Sequence, residues 1–137
     1  MKTILFVCVH NSGRSQMAEA IFNSLARGKS RAISAGTIPA TDVNPVVVKA
    51  MSQIGIDISN NQPKPLTVEK LEKADRIISM GCLDSAACPA RLAFTEDWGL
   101  PDPAGKSLEE VVKIRDKIRE CVSKLLKEIE TPLMEQC

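Results

Sequence analysis

The residues best suited to chemistry stand together in the segment Cys8-Val9-His10-Asn11-Ser12-Gly13-Arg14-Ser15. Cysteine attacks as its thiolate, which forms where hydrogen-bond donors or positive charge surround the sulfur. An apolar run over residues 2–9 leads into this segment, and a helical pattern starts at Ser15, so the loop joins a strand end to a helix start. At such a junction backbone N–H groups and the helix dipole converge on a tetrahedral oxyanion. Arg14 adds a planar fork that can take two oxygens at once. Asn11 and Ser15 are short polar side chains suited to bracing the loop and to directing a hydroxyl at sulfur. Gly13 permits positive φ or close backbone approach. His10, the sole histidine, is expected to belong to the loop's framework, because a thiol ionised by its surroundings needs no base. The chemistry expected of residues 8–15 is therefore capture of a tetrahedral oxyanion and attack on it by Cys8. The competing view, a core cysteine at a strand end beside a surface arginine, does not account for the joint pattern.

The bulk of the chain narrows the setting. Its 137 residues suit one domain, and 44% apolar with 26% charged residues supports a real core. A net charge of +1 with no basic stripe argues against nucleic acid, and no apolar run approaches the ~20 residues of a membrane span. The opening MKTILFVCVH fits a buried strand better than a signal peptide, so a cytoplasmic monomer is expected. In a reducing compartment Cys8, Cys82, Cys88, Cys121 and Cys137 are expected to be catalytic, redox-active or metal-binding rather than structural staples. Zinc fits poorly, since Leu83 to Ala87 separate Cys82 from Cys88 and only His10 offers an imidazole. Neither metal nor cofactor is expected.

The elements that must position these residues follow from periodicity and punctuation. Residues 2–9 predict a strand covered on both faces, and Ser15 to Arg27 a helix with Met17, Ala18, Ile21, Phe22 and Leu25 inward. A short strand follows at Arg31–Ser34, ending at Ala35-Gly36. Asn44-Pro45 supplies an N-cap and an N1 proline for a helix through about Ile54, stopped by Gly55. Residues 67–70 open another short helix, Asp75–Met80 predicts a third strand and Thr95–Trp98 a fourth. Ser107-Leu-Glu-Glu110 is a capping box for a long amphipathic helix to about Glu130, on whose apolar side Cys121 is expected to pack. Strands alternating with helices predict an α/β three-layer sandwich, a four-stranded parallel sheet in flavodoxin-like order. Ligands of such sheets sit at the carboxyl ends of strands, and Cys8, Cys82 and the Pro101-Asp102-Pro103 turn all follow strands. The domain is expected over residues 1–130, with 131–137 as a tail that leaves Cys137 exposed.

The stretch CVHNSGRSQMAEA resembles the arsenate reductases that share the low-molecular-weight protein tyrosine phosphatase fold. Ser34-Ala35-Gly36, Gly55-Ile-Asp-Ile-Ser59, Met80-Gly81-Cys82, Cys88-Pro89 and the run from Asp97 to Gly105 carry the resemblance to about Glu130. Three features separate this chain from the phosphatases. Ser15 is followed by Gln16-Met17-Ala18-Glu19 where phosphatases usually have Ser-Pro, the chain has no tyrosine, and Cys82 and Cys88 are extra thiols that hydrolysis does not need.

The resemblance implies that Cys8 is the nucleophile, that Asn11, Arg14 and Ser15 orient it and the oxyanion, and that Asp102 is the general acid. A proline-bounded turn can hold such a carboxyl over the loop to protonate the departing oxygen. It further implies a transient Cys8–Cys82 disulfide, then a Cys82–Cys88 disulfide reduced by thioredoxin or another thiol partner, with phosphate or sulfate competing for arsenate's place. If residues 82–88 are helical when reduced, a rise of ~1.5 Å per residue separates the two Cα atoms by about 9 Å. A disulfide tolerates at most about 7 Å, so such a segment must unwind on oxidation. Some relatives hold potassium with residues matching Asn11, Glu19 and Ser34 plus an aspartate; Lys64 stands at that last position here, and its ammonium is expected to pair with Glu19. Two other functions use the same loop: a phosphatase acting on phosphotyrosine or small phosphoesters, and a non-enzymatic oxyanion or thiol sensor.

Overall fold

The computed structural model describes residues 2–80 and 96–130. Four parallel strands, β1 (Lys2–Cys8), β2 (Ser30–Gly36), β3 (Arg76–Ser79) and β4 (Glu96–Asp97), lie in the order β2-β1-β3-β4. The helices are α1 (Arg14–Ala26), α2 (Pro45–Ser52), α3 (Val68–Lys73) and α4 (Leu108–Glu130). This is the expected α/β sandwich. Alternation along β1 explains its layers: Ile4 and Phe6 point into the core made with α1, α2 and α4, whereas Leu5 and Val7 pack with Ala35 and Leu71 of α3. The central strand is wholly buried from Ile4 to Val7, which is why its sequence is continuously apolar.

Register brings the carboxyl ends of the strands together. Val7 pairs with Ser79 and Ser79 with Asp97, while the Met80 and Trp98 N–H groups donate to the Val7 and Ser79 carbonyls. Trp98 then packs on Phe6, with ring centroids 5.4 Å apart. β3 thus ends on the same sheet edge where β1 ends at Cys8. Cys82, Cys88, Cys137 and the tail lie outside the described residues.

Local chemistry sets the helix boundaries. Asn44 Oδ1 accepts from the Val46 N–H ahead of Pro45, and Ser107 and Glu110 exchange the two bonds of a capping box. Buried Arg115 of α4 donates to the Ala50 carbonyl and to Gln53, closing the far end of α2. Two inward positions differ from expectation. Leu25 is 40% exposed and Ala26 takes its place, because the residue four beyond Phe22 stays on the buried stripe while the third drifts off it. Cys121 is only half-buried, beside a cavity of about 150 Å³ shared with Trp98 and Leu125, since the buried line of α4 runs through Ile118, Val122 and Leu125.

At the end of β2, Gly36 admits no side chain. A Cβ there would stand 2.8 Å from the Val9 carbonyl oxygen and 3.0 Å from both the Asn11 N and Cβ. Gly36→Ala must therefore push the 8–13 loop off the strand. Urea unfolding should show a loss of about 1–3 kcal/mol.

Candidate active site

The loop between β1 and α1 is oriented by its carbonyls. The carbonyls of Cys8, Val9, His10 and Ser12 accept from the N–H groups of Thr37, Ile38, Ala40 and Asn44, and that of Gly13 from Met17. Carbonyl and following N–H point opposite ways across a trans peptide, and the chain has no cis bond among the described residues. The N–H groups of Val9, His10, Asn11, Gly13 and Arg14 consequently point away from the donors that those carbonyls face, and that of Asn11 is turned on Cys8 Sγ. Asn11 completes the curl with a left-handed φ of +50°. Gly13 is the N-cap of α1 and provides no side-chain cap, nor does the first turn carry an acidic residue. The dipole end of this helix thus lacks both a side-chain cap and a counter-charge from its own first turn.

Cys8 Sγ sits at that end, 3% exposed. The Asn11 N–H donates to it over 3.1 Å, and Ser15 Oγ lies 2.8 Å away. Asn11 Nδ2 in turn donates to Ser15 Oγ over 2.7 Å. His10 is exposed, and its Nδ1 lies 3.1 Å from the Ile38 carbonyl oxygen, so the ring is tied to the flanking segment rather than turned on Cys8.

Arg14 is buried, and its Nη1 donates to the carbonyls of Met80 at 2.5 Å and Leu100 at 2.8 Å. One guanidinium nitrogen thereby ties the loop to the end of β3 and to the segment after β4. Pro103 closes over the loop from the same side: a Cβ on Gly13 would stand 2.5 Å from its Cγ. Asp102 lies between these two contacts, exposed, with Oδ1 accepting from the Ala104 N–H at 3.0 Å. The structure thus brings Cys8, Asn11, Arg14 and Ser15 together and flanks them with the Asp102 turn.

Sequence reasoning passed over Gln16 as a site residue. Its side chain is wholly buried behind the loop and bonds to Asn11, and only the fold, which carries residues 61–64 across to it, reveals that role.

The model of the low molecular weight phosphotyrosine protein phosphatases matches residues 3–134, running past residue 130 into the expected tail. The chain belongs to this family. Within it, an arsenate reductase of Bacillus cereus is 38% identical over 125 residues, covering 90% of this chain and 92% of that protein. A solved arsenate reductase in a phosphate-binding state superposes with a TM-score of 0.82 at 36% identity, covering 95% of this chain and all of the other. A thioredoxin-dependent arsenate reductase of Corynebacterium glutamicum gives a TM-score of 0.76 at 34% identity; the match covers 95% of this chain and 62% of that one.

The potassium ligand set of some family members does not fit here. Lys64 Nζ lies 3.0 and 3.2 Å from the two Glu19 carboxylate oxygens, and Ser34 Oγ donates to the same carboxylate. Asn11 Oδ1 is already filled by Gln16 Nε2 and the Lys64 N–H. The Lys64 ammonium takes up both oxygens of the Glu19 carboxylate that such a ligand set would use. Nearby, burial and then the charge of Lys64 hold the Lys70 ammonium below the ordinary lysine range, against the pull of Glu19. Exchanging sodium for potassium at fixed ionic strength should therefore leave melting temperature and turnover unchanged. Strong stimulation by potassium would show that Lys64 yields to the ion.

Proposed function

We propose that this chain is a cytoplasmic arsenate reductase that converts arsenate to arsenite through Cys8, Cys82 and Cys88. The observation that carries the reading is the inward-facing anion loop around Cys8 in a chain 38% identical to an arsenate reductase over nine-tenths of its length. The thiolate of Cys8 attacks arsenic, forming an S–As bond as an As–O bond breaks. Asp102 gives its proton to the leaving oxygen, which departs as water. Arg14 and the loop N–H groups hold the remaining oxygens. The thiolate of Cys82 then attacks Cys8 Sγ; a disulfide forms, the S–As electron pair stays on arsenic, and arsenite leaves. Cys88 attacks Cys82 and displaces Cys8 as thiolate, leaving Cys82–Cys88. An external dithiol reduces this bond, and the thioredoxin-dependent relative from Corynebacterium glutamicum supports thioredoxin as that partner.

The family match supports a second reading, hydrolysis of a phosphoester. Cys8, Arg14 and Asp102 would serve it equally, with water in place of Cys82 as the second nucleophile. Cys88 separates the two. Cys88→Ser should abolish multiple turnover of arsenate in a thioredoxin-coupled assay yet retain one stoichiometric arsenite per chain and any phosphatase activity. Unchanged multiple turnover in that variant would exclude the cascade. Asp102→Asn should slow the first, single-turnover step by about 10²–10⁴-fold in rapid-quench measurements of arsenite.

A further inference from the structure

Gln16 is 0% exposed, and every polar atom of its side chain is engaged. Nε2 donates to Asn11 Oδ1 at 2.9 Å and to the Gln62 carbonyl at 3.1 Å, while Oε1 accepts from Asn61 Nδ2 at 3.2 Å. The Gln62 carbonyl can only accept, so the Gln16 amide has one orientation, N–H toward Asn11. The Lys64 backbone N–H, 2.8 Å from Asn11 Oδ1, can only donate, so Asn11 likewise has one orientation. Asn11 Nδ2 must then face Ser15 Oγ as a donor. Ser15 is fully buried, and among the described residues its hydroxyl has two partners, Asn11 Nδ2 and Cys8 Sγ. With Asn11 as donor to its oxygen, the Ser15 hydroxyl keeps its own hydrogen available, and toward a Cys8 thiolate, which can only accept, that hydrogen points at sulfur. A donor directed at sulfur favours thiolate over thiol.

We propose that Gln16 is a positioning residue for the Cys8 thiolate: together with the Lys64 N–H it holds Asn11 Oδ1, and so keeps Asn11 Nδ2 on Ser15 in the hydrogen-bond relay that ends at Cys8. The proposal rests on Cys8 being the nucleophile of the proposed function. It makes no use of arsenic, phosphate or the other thiols.

The side-chain length of methionine approximates that of glutamine and offers no N–H, so Gln16→Met removes the donor at little change in volume. Iodoacetamide alkylation of Cys8, followed by mass analysis of the Cys8 peptide from the full chain, reads the thiolate directly. At about pH 6 the Gln16→Met rate should fall about tenfold, and at about pH 9.5, above the ordinary cysteine range, the difference from the parent should narrow to about twofold. Ser15→Ala should slow the reaction at the lower pH as well. Adding Gln16→Met to Ser15→Ala should slow it no further, since the relay is already cut.

A folded Gln16→Met protein that alkylates like the parent at both pH values would overturn the proposal. So would equal slowing in the presence and absence of Ser15, which would mean that Gln16 acts by packing alone. Should Gln16→Met not fold, the side-chain amide resonances of Gln16 and Asn11 in the unsubstituted protein decide the matter. They should move with the titration of Cys8 and stop moving in Cys8→Ser; resonances indifferent to that titration would refute the relay. Because these readouts need no arsenate, a protein that fails to release arsenite but keeps the relay would sink the proposed reaction and leave the role of Gln16 standing.

Discussion

A short loop can turn its N–H groups toward one point only if something else donates to its carbonyls. Here the acceptors' partners are backbone donors: Thr37, Ile38 and Ala40, which continue β2 alongside the loop, Asn44 at the cap of α2, and Met17 in α1. Unlike side-chain braces, backbone donors cannot rotate away, so the curl of residues 8–14 is as rigid as the sheet and helices that present them. The thiol's environment is therefore a property of the whole fold. β2 lies beside β1 over its full length, and α2 is held at its far end by Arg115, which makes Thr37 through Asn44 a fixed rail for the loop.

Close approach completes this frame. Gly36 lets β2 reach the loop at backbone distance, and Gly13 lets Pro103 settle on the other side. Both positions trade a side chain for contact. The absence of a cap on α1 follows the same logic, because a carboxylate or hydroxyl at Gly13 would compete with the anion for the N–H groups of the first turn.

Much of this was legible in the residues. The continuous apolar run of β1, the Asn44-Pro45 start and the Ser107–Glu110 box are local signals, and local signals survive into the structure. The pairing of Lys64 with Glu19 was also foreseeable, since a family ligand position had become a lysine. Leu25 and Cys121 were misjudged because a helical stripe drifts, and residues at its margin are sorted only by what packs there. Gln16 was opaque for a stronger reason: its partners are a side chain five residues back and the 61–64 segment, which only the fold carries across to it. The orientation of the loop carbonyls was opaque in the same way, being decided by residues 37–44.

Arg14 has a consequence of a different kind. Its Nη1 is committed to the carbonyls of Met80 and Leu100 before any oxyanion arrives. In the proposed reaction, where Arg14 also takes the oxyanion, anion binding and the placement of those two backbone groups are linked equilibria that share one guanidinium. Reciprocity requires that whatever factor an anion exerts on the hold of Arg14 over residues 80 and 100, displacement of those residues exerts on affinity for the anion. The neighbours of these carbonyls lead directly to Cys82 on one side and Asp102 on the other. Under the proposed function a single charged side chain thus makes the occupancy of the loop and the placement of the Met80 and Leu100 carbonyls functions of one another.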